Sequence, residues 1–283
     1  MELKRLRYFV TVVDEGSITA AAKRLYMSQP PLSTQIKLLE QEVGVPLLIR
    51  GTRRVRMTDA GRLLYERARS MLELERLALI DARSAVTGMH SVRMGVVSSV
   101  GSTLLADWIA RLRPSMPDIS FELTEANTYQ LVESVRRGLV EFAVVRTPFS
   151  ADDLTCVRLT DETIVAVGYG SEHITLSKLA EQPLIIYRRW AEVIERTFAR
   201  HRLSAAYVCI CDDARTAVEW ARRGIGVAIV PHSATKSHSD ITYSHIDCLD
   251  LQSDICIIHN PSSPMSEAAW SVLSSICSLY GAQ

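Results

Sequence analysis

With 283 residues, 47% of them hydrophobic and 23% charged, the chain reads as a globular protein of two or three domains, each with its own core. No run approaches the roughly 20 apolar residues of a membrane span, and the first residues lack the apolar segment of a signal peptide; a cytoplasmic protein is expected, with no membrane partner and its six cysteines reduced. Net charge is zero but unevenly spread: residues 1–58 hold ten Lys and Arg against five Asp and Glu, while residues 91–283 hold 17 against 22, a basic head on an acidic body.

A first helix over 3–13 turns Leu3, Leu6, Phe9, Val10 and Val13 inward, and Glu15-Gly16 ends it. Ser17 then caps a short helix with Ile18, Ala21, Ala22 and Leu25 on one face. Ser28 caps a longer one, with Pro30 and Pro31 in the first turn, where a missing N–H costs nothing. Its apolar stripe is Leu32, Ile36, Leu39 and Val43, and Gly44 closes it. Two helices on so short a turn read as a helix-turn-helix. The second presents Gln29, Ser33, Thr34 and Lys37 away from its stripe, side chains suited to base edges and phosphates. Apolar residues 46–49, a turn at Gly51 and the return through Arg56 make a wing, whose Arg50, Arg53, Arg54 and Arg56 would track phosphates or enter the minor groove.

These residues, from Leu6-Arg7-Tyr8-Phe9 through Ala20-Ala21, Leu25, Ser28-Gln29-Pro30-Pro31-Leu32-Ser33, Ile36, Leu39-Glu40, Gly44, Leu47 and Arg50 to Thr58-Asp59-Ala60-Gly61, resemble the N-terminal domain of LysR-type transcriptional regulators. The resemblance extends more weakly to the C-terminus. It implies a winged helix-turn-helix, a linker helix that pairs two DNA-binding domains, and a two-lobed effector domain like periplasmic binding proteins. Double-stranded operator DNA, a small effector, a homotetramer built as a dimer of dimers, and RNA polymerase are the partners it implies. Ser28 and Pro30 join Gln29, Ser33, Thr34 and Lys37 as expected DNA contacts.

Thr58-Asp59 opens a long helix to about 86, with heptad series Leu64, Met71, Ala78, Ala85 and Tyr65, Leu72, Leu79, Val86. A lone helix of this length has little else to bury against, so a dimer seam is expected. The texture after residue 90 alternates: strand 92–97, helix 103–113, strand 119–125, helix 129–138, strand 142–145, a βαβαβ pattern with a parallel sheet. A second set follows: strands near 163–168 and 184–187, helix 190–202, strand 206–211, helix 213–223, strand 227–230. Strands near 241–248 and 254–259 then lead back to a helix at 266–280. The expected division is an α/β chain with a DNA-binding domain at 1–58, a linker helix at 59–88 and an effector domain at 91–283. Lobe I takes about 91–161 and 260–283, lobe II about 162–259.

Ligands in open α/β sheets bind beyond the carboxyl ends of strands. Ser98, Ser99 and Val100 follow the first strand, Asn127 and Thr128 the second, and Arg146 the third. Tyr187, Arg188 and Arg189 follow a strand of the other lobe, and Gly224-Ile225-Gly226-Val227 precedes Pro231 in the family's small-residue pattern. Hydroxyls, backbone donors and arginines converging on a cleft would suit a small anion, a carboxylate above all. The competing reading makes Ser98, Asn127 and Thr128 helix caps and pairs Arg146 with Glu141.

Enzyme motifs are absent. Gly95-Val96-Val97-Ser98-Ser99 is not G-x-S-x-G, neither Gly168-Tyr169-Gly170 nor Gly224-Ile225-Gly226 completes a nucleotide-binding motif, and His232, His238 and His245 lack metal-ligand spacing, so no cofactor or metal is expected. Cys209 and Cys211, two apart on one strand, are the residues of an alternative redox-responsive reading, opposed by Asp212 and Asp213, which would raise a thiol's pKa.

Overall fold

The computed structural model describes residues 1–51, 54–236, 240–248 and 251–281, with backbone only at Arg50, Asp81, Ser84, Ala85, Thr87, Ser102 and Thr103. Two compact units divide the chain, Met1–Thr87 and Gly88–Gln283.

In the first unit, α1 (Leu3–Glu15), α2 (Ile18–Arg24) and α3 (Gln29–Val43) bury Leu6, Phe9, Val12, Ala21, Ala22, Leu32, Ile36 and Leu39 in one core. The Ser17 side chain accepts from Ala20 N and caps α2. Ser28 holds the extended N-cap backbone of α3, but its hydroxyl makes no capping hydrogen bond. Glycines take the left-handed turns that end α1 and α3, at φ 63° for Gly16 and 82° for Gly44, a conformation that costs a side chain about 1 kcal/mol or more. Strands β1 (Leu48–Arg50) and β2 (Val55–Met57) pair antiparallel as the wing. The Glu40 carboxylate accepts from Leu47 N (2.9 Å) and Leu48 N (3.1 Å), so α3 itself fixes where the wing departs. Helix α4 (Asp59–Thr87) is capped by the Thr58 hydroxyl, which accepts from Gly61 N at 2.9 Å. Its first half is not a lone helix: Leu64, Tyr65, Ala68 and Leu72 pack into the head's core, while Met71, Leu74, Leu79 and Val86 remain exposed.

The second unit has two lobes on one sheet path. In lobe I, β3 (His90–Val96) lies between β4 (Ile119–Glu125) and β5 (Phe142–Arg146), all parallel, followed by β12 (Gln252–His259), antiparallel to β5. Strand β6 (Thr155–Val167) pairs β12 with its first half and β10 (Val227–Pro231) with its second. Lobe II continues through β8 (Pro183–Tyr187) to β9 (Ala206–Cys211), parallel to β10, with β11 (Tyr243–Ile246) on β6 and the short β7 (His173–Ile174) beyond it. Helices α5 (Ser98–Val100), α6 (Ala106–Leu112), α7 (Thr128–Arg136) and α11 (Glu267–Leu279) serve lobe I; α8 (Leu176–Ala180), α9 (Arg188–Arg200) and α10 (Ala214–Arg222) serve lobe II. Each lobe has its own core.

Two expectations change. The segment 252–259, expected in lobe II, is a lobe I strand, because Ile255, Cys256, Ile257 and Ile258 are apolar enough to be buried on both faces. The strand expected near 163–168 is only the second half of a 13-residue strand whose first half is polar and partly exposed, hence without an apolar signature.

Candidate functional site

The N-terminal turns of α3 form an exposed polar face. Ser28, Gln29, Pro30, Thr34 and Lys37 are exposed and Ser33 is half-buried, a placement set by the stripe that buries Leu32, Ile36 and Leu39 on the opposite side. Arg54 and Arg56 are exposed on the wing. Arg53 lies outside the described residues, as do His238 and the side chain of Arg50. The sequence reading passed over Tyr26. It stands in the turn between α2 and α3 at φ 53° and is 97% exposed, a left-handed aromatic residue beside the reading helix.

In the second unit a cleft of about 650 Å³ opens at the carboxyl ends of β3, β4, β8 and β9. Ser98, Asn127, Tyr187 and Arg188 line it, together with Glu125, Tyr129, Gln130, Arg189, Glu192, Asp212, Asp213 and Arg215. Asn127 also caps α7 in a reciprocal box: its side chain accepts from Gln130 N while the Gln130 side chain accepts from Asn127 N. The cap and pocket readings are thus both satisfied by one residue.

Other expected ligand positions sit elsewhere. Ser99, Val100 and Thr128 are buried behind the cleft wall. Gly226 and Val227 lie at the amino end of lobe II's central strand, where Val227 pairs Leu184 rather than Tyr187, and a Cβ on Gly226 would meet Pro183 O at 2.3 Å. Gly226 is therefore small because another backbone passes it.

Arg146 is wholly buried, and its partner is not Glu141. Its Nη1 pairs with Glu162 Oε2 at 2.9 Å, its Nε donates to Ser99 Oγ at 3.0 Å, and its Nη2 donates to Ser233 Oγ. Ser233 N donates to Glu162 Oε1 at 2.7 Å, and Ser233 Oγ donates to Ser99 O at 3.0 Å. Glu141 instead accepts from Arg93 N and Ser266 N, tying α11 to the lobe I sheet. Arg146 thus joins lobe I to the crossing strand and to lobe II from below the cleft. Of the hydroxyls that the sequence offered to a ligand, Ser99 accepts from this buried guanidinium and Thr128 accepts from the Arg146 backbone N–H, while Ser98 stays on the cleft.

The cleft's surface charges are mostly self-neutralised. Arg188 pairs with Asp212, Glu192 with Arg196, and Arg215 with Asp213 (2.7 Å) and, across the cleft, with Glu125 (3.1 Å). Burial alone would push Asp213 up, but hydrogen bonds from the Arg215 guanidinium and backbone hold its carboxyl below the usual 3.8. Arg189 is the exception. Its Nη2 donates to Arg146 O and Pro148 O, but Nε and Nη1 are buried without a hydrogen-bond partner and no carboxylate pairs with it among the described residues. Its guanidinium lies 5.7 Å from the centre of the Tyr129 ring. Burial, reinforced by Arg146, pulls its pKa below the usual arginine value, so its charge is left undercompensated. Adjacent arginines at 188 and 189 were the only sequence signal for it.

The cysteines of the alternative reading do not look reactive. Burial pushes the Cys211 thiol up, and its sulfur donates to the carbonyl of Asp213 at 3.3 Å. Among the described residues no group of His, Cys, Asp and Glu is arranged to hold a metal ion, and no helix is long and apolar enough to cross a membrane.

A winged helix-turn-helix head with an α/β, two-lobed body defines a DNA-binding transcriptional regulator with an effector-binding domain. The family profile "Bacterial regulatory helix-turn-helix protein, lysR family" matches residues 3–62, and "LysR substrate binding domain" matches residues 88–276. The chain belongs to the LysR family of transcriptional regulators. It is 31% identical over 274 residues to a probable cat1 operon transcriptional activator of Acinetobacter lwoffii, covering 92% of this chain and 90% of that protein. It is 32% identical over 242 residues to the Hca operon transcriptional activator HcaR of Escherichia coli K12, covering 82% of each. The crystal structure of CbnR, a LysR family transcriptional regulator, shares the fold at a TM-score of 0.82 and 23% identity, covering 99% of both chains.

Proposed function

We propose that this LysR regulator reads operator DNA through the α3 face and wing and is switched by a small carboxylate held in the interlobe cleft at Arg189. The observation that carries the effector's charge is the unpaired state of Arg189 in a cleft whose other cations already have carboxylate partners. A guanidinium with buried, partnerless N–H groups is destabilised, and an incoming carboxylate supplies both charge and acceptors. Tyr129, 64% exposed, offers ring surface for the body of such a ligand.

On the DNA side, Gln29 and Ser33 read base edges, Ser28, Thr34 and Lys37 reach edges and phosphates, and Arg54 and Arg56 hold the flanking backbone. The exposed apolar residues Met71, Leu74, Leu79 and Val86 of α4 are the seam for a second copy, which sets two heads on half-sites about a helical turn or more apart. A tetramer in the cytoplasm, working on RNA polymerase, completes this reading. The effector acts through its differential affinity for two arrangements of the lobes.

The test is thermal unfolding of the full-length protein against aromatic and aliphatic carboxylates, each beside its uncharged amide. At a hundredfold excess over Kd, binding contributes about 2.7 kcal/mol, a rise of roughly 5–10 °C for a domain of this size. The carboxylate should raise the midpoint and the amide should not, and Arg189→Gln should abolish the rise. A carboxylate that stabilises wild type and Arg189→Gln equally would place the anion elsewhere.

A further inference from the structure

Helix α3 carries two rows of side chains outside its buried stripe. Residues four apart stand one above the other on a helix, so Gln29, Ser33 and Lys37 make one row and Pro30, Thr34 and Leu38 the next. The first row is polar. The second is polar at Thr34 by sequence, but the structure changes its character, because the Thr34 hydroxyl donates to Pro30 O at 3.1 Å, in the helix's own first turn. Threonine in a helix commonly satisfies its hydroxyl on the preceding turn in this way. With the oxygen turned back on the backbone, the γ-methyl is what the exposed Thr34 side chain has to offer a partner. Pro30 is exposed beside it and Leu38 is 37% exposed, so proline ring, methyl and isobutyl group form an apolar strip along the polar row.

We propose that Thr34 determines sequence specificity through its γ-methyl, which packs on the 5-methyl of a thymine beside the base edges met by Gln29 and Ser33. The inference rests on α3 being the reading helix and adds what this residue reads. Thymine alone among the four bases presents a methyl group in the major groove, and threonine methyls contact it. Reading helices meet base edges with their N-terminal residues, which favours the first turns, where Pro30 and Thr34 stand. The hydroxyl proton is committed to Pro30 O, so Thr34 does not donate to guanine or to thymine O4. Its oxygen keeps acceptor capacity, which makes a bond from an adenine or cytosine amino group the competing contact.

The experiment selects duplexes from a random pool with the full-length protein, then replaces each thymidine of one half-site in turn by deoxyuridine. Uracil keeps the O4 acceptor and lacks the methyl, so only the apolar contact changes. At one or two positions the wild type should bind the deoxyuridine duplex about fourfold more weakly, the worth of one buried methyl-sized group. Thr34→Ser keeps the hydroxyl and loses the methyl; it should bind the two forms alike. Thr34→Val keeps a methyl and loses the hydroxyl; it should retain the preference for thymidine. The position is exposed, so thermal melts of both variants should match wild type. Three results would overturn the assignment: a wild type indifferent to every deoxyuridine, a Thr34→Ser that keeps the full preference, or a Thr34→Val that loses it, which would give the reading to the oxygen. Each of these leaves α3 as the reading helix. A selection that returns no sequence preference at all would overturn that reading and this one together.

Discussion

Glu162→Ala removes the carboxylate from a guanidinium that has nowhere else to discharge. Arg146 is 0% exposed and Glu162 7%, their ion pair spans 2.9 Å, and the same carboxylate accepts from Ser233 N. Losing one partner of a buried pair costs about 3–5 kcal/mol, because the survivor keeps the desolvation and loses the attraction. The measurement is clean, since Trp108, Trp190, Trp220 and Trp270, all the tryptophans of the chain, lie in the second unit. Their fluorescence in urea therefore reports the effector domain alone. With a slope of about 2–3 kcal/mol per molar urea, the midpoint should fall by roughly 1–2 M. Glu162→Gln keeps an acceptor for Ser233 and should lose less. The double replacement Arg146→Met with Glu162→Leu should recover most of the loss, because an apolar pair of similar volume carries no desolvation cost. A Glu162→Ala unfolding free energy within about 1 kcal/mol of wild type would refute the buried network.

Three further outcomes follow from other parts of the molecule. Arg54→Gln should weaken binding to all DNA sequences alike and reduce the salt slope of log K by about 1, whereas Gln29→Ala should mainly relax sequence preference; titrations in rising salt on specific and random duplexes separate the two. Gly61→Ala would put a Cβ 2.1 Å from Leu47 O, so the wing must shift, costing about 1–3 kcal/mol and operator affinity, read by far-UV melting and DNA titration. Asp213→Asn keeps a cap for α10 but removes the charge; because the folded carboxyl titrates below 3.8, its stabilisation is complete above that value and lost as pH falls through the lower folded one. The gap in unfolding midpoint between wild type and Asp213→Asn should thus be constant near neutrality and close in acid; a gap that widens as pH falls below neutrality would contradict this.

What the sequence made legible was whatever repeats with a helical or strand period. The head was legible almost residue by residue, since Leu32, Ile36 and Leu39 fix α3 and leave Gln29 and Lys37 outside. The parallel strands of lobe I were legible for the same reason. The site was half legible: that polar residues follow the strands is a local fact, but which of them face the cleft depends on the partner they meet. Ser99 and Thr128 follow strands as Ser98 and Asn127 do, yet they turn to Arg146. Nothing local says that Glu162, on a strand whose first half lacks an apolar pattern, comes to neutralise Arg146, or that Asp213 and Glu125 neutralise Arg215 while no carboxylate among the described residues pairs with Arg189. Those are long-range pairings set by the packing of the two lobes.

That packing uses two kinds of cross-lobe contact with different consequences. Below the cleft, the Arg146–Glu162–Ser233–Ser99 network is buried, so breaking it costs stability. At the mouth, Arg215 and Glu125 meet at 3.1 Å with side chains 38% and 43% exposed, where an ion pair contributes about 0–1 kcal/mol. That pair holds the mouth only weakly, so under the proposed function the ligand's own contacts decide its binding. Arg215→Ala should change effector Kd by less than about fivefold, the equivalent of that 1 kcal/mol, while Arg189→Gln should change it by a factor of about ten or more, as expected for a charge-assisted pair of about 1.5–3 kcal/mol. Calorimetric titration of both variants with the same carboxylate compares the two directly. A larger loss at Arg215 than at Arg189 would make the mouth the reading element and the unpaired arginine a passive part of the wall.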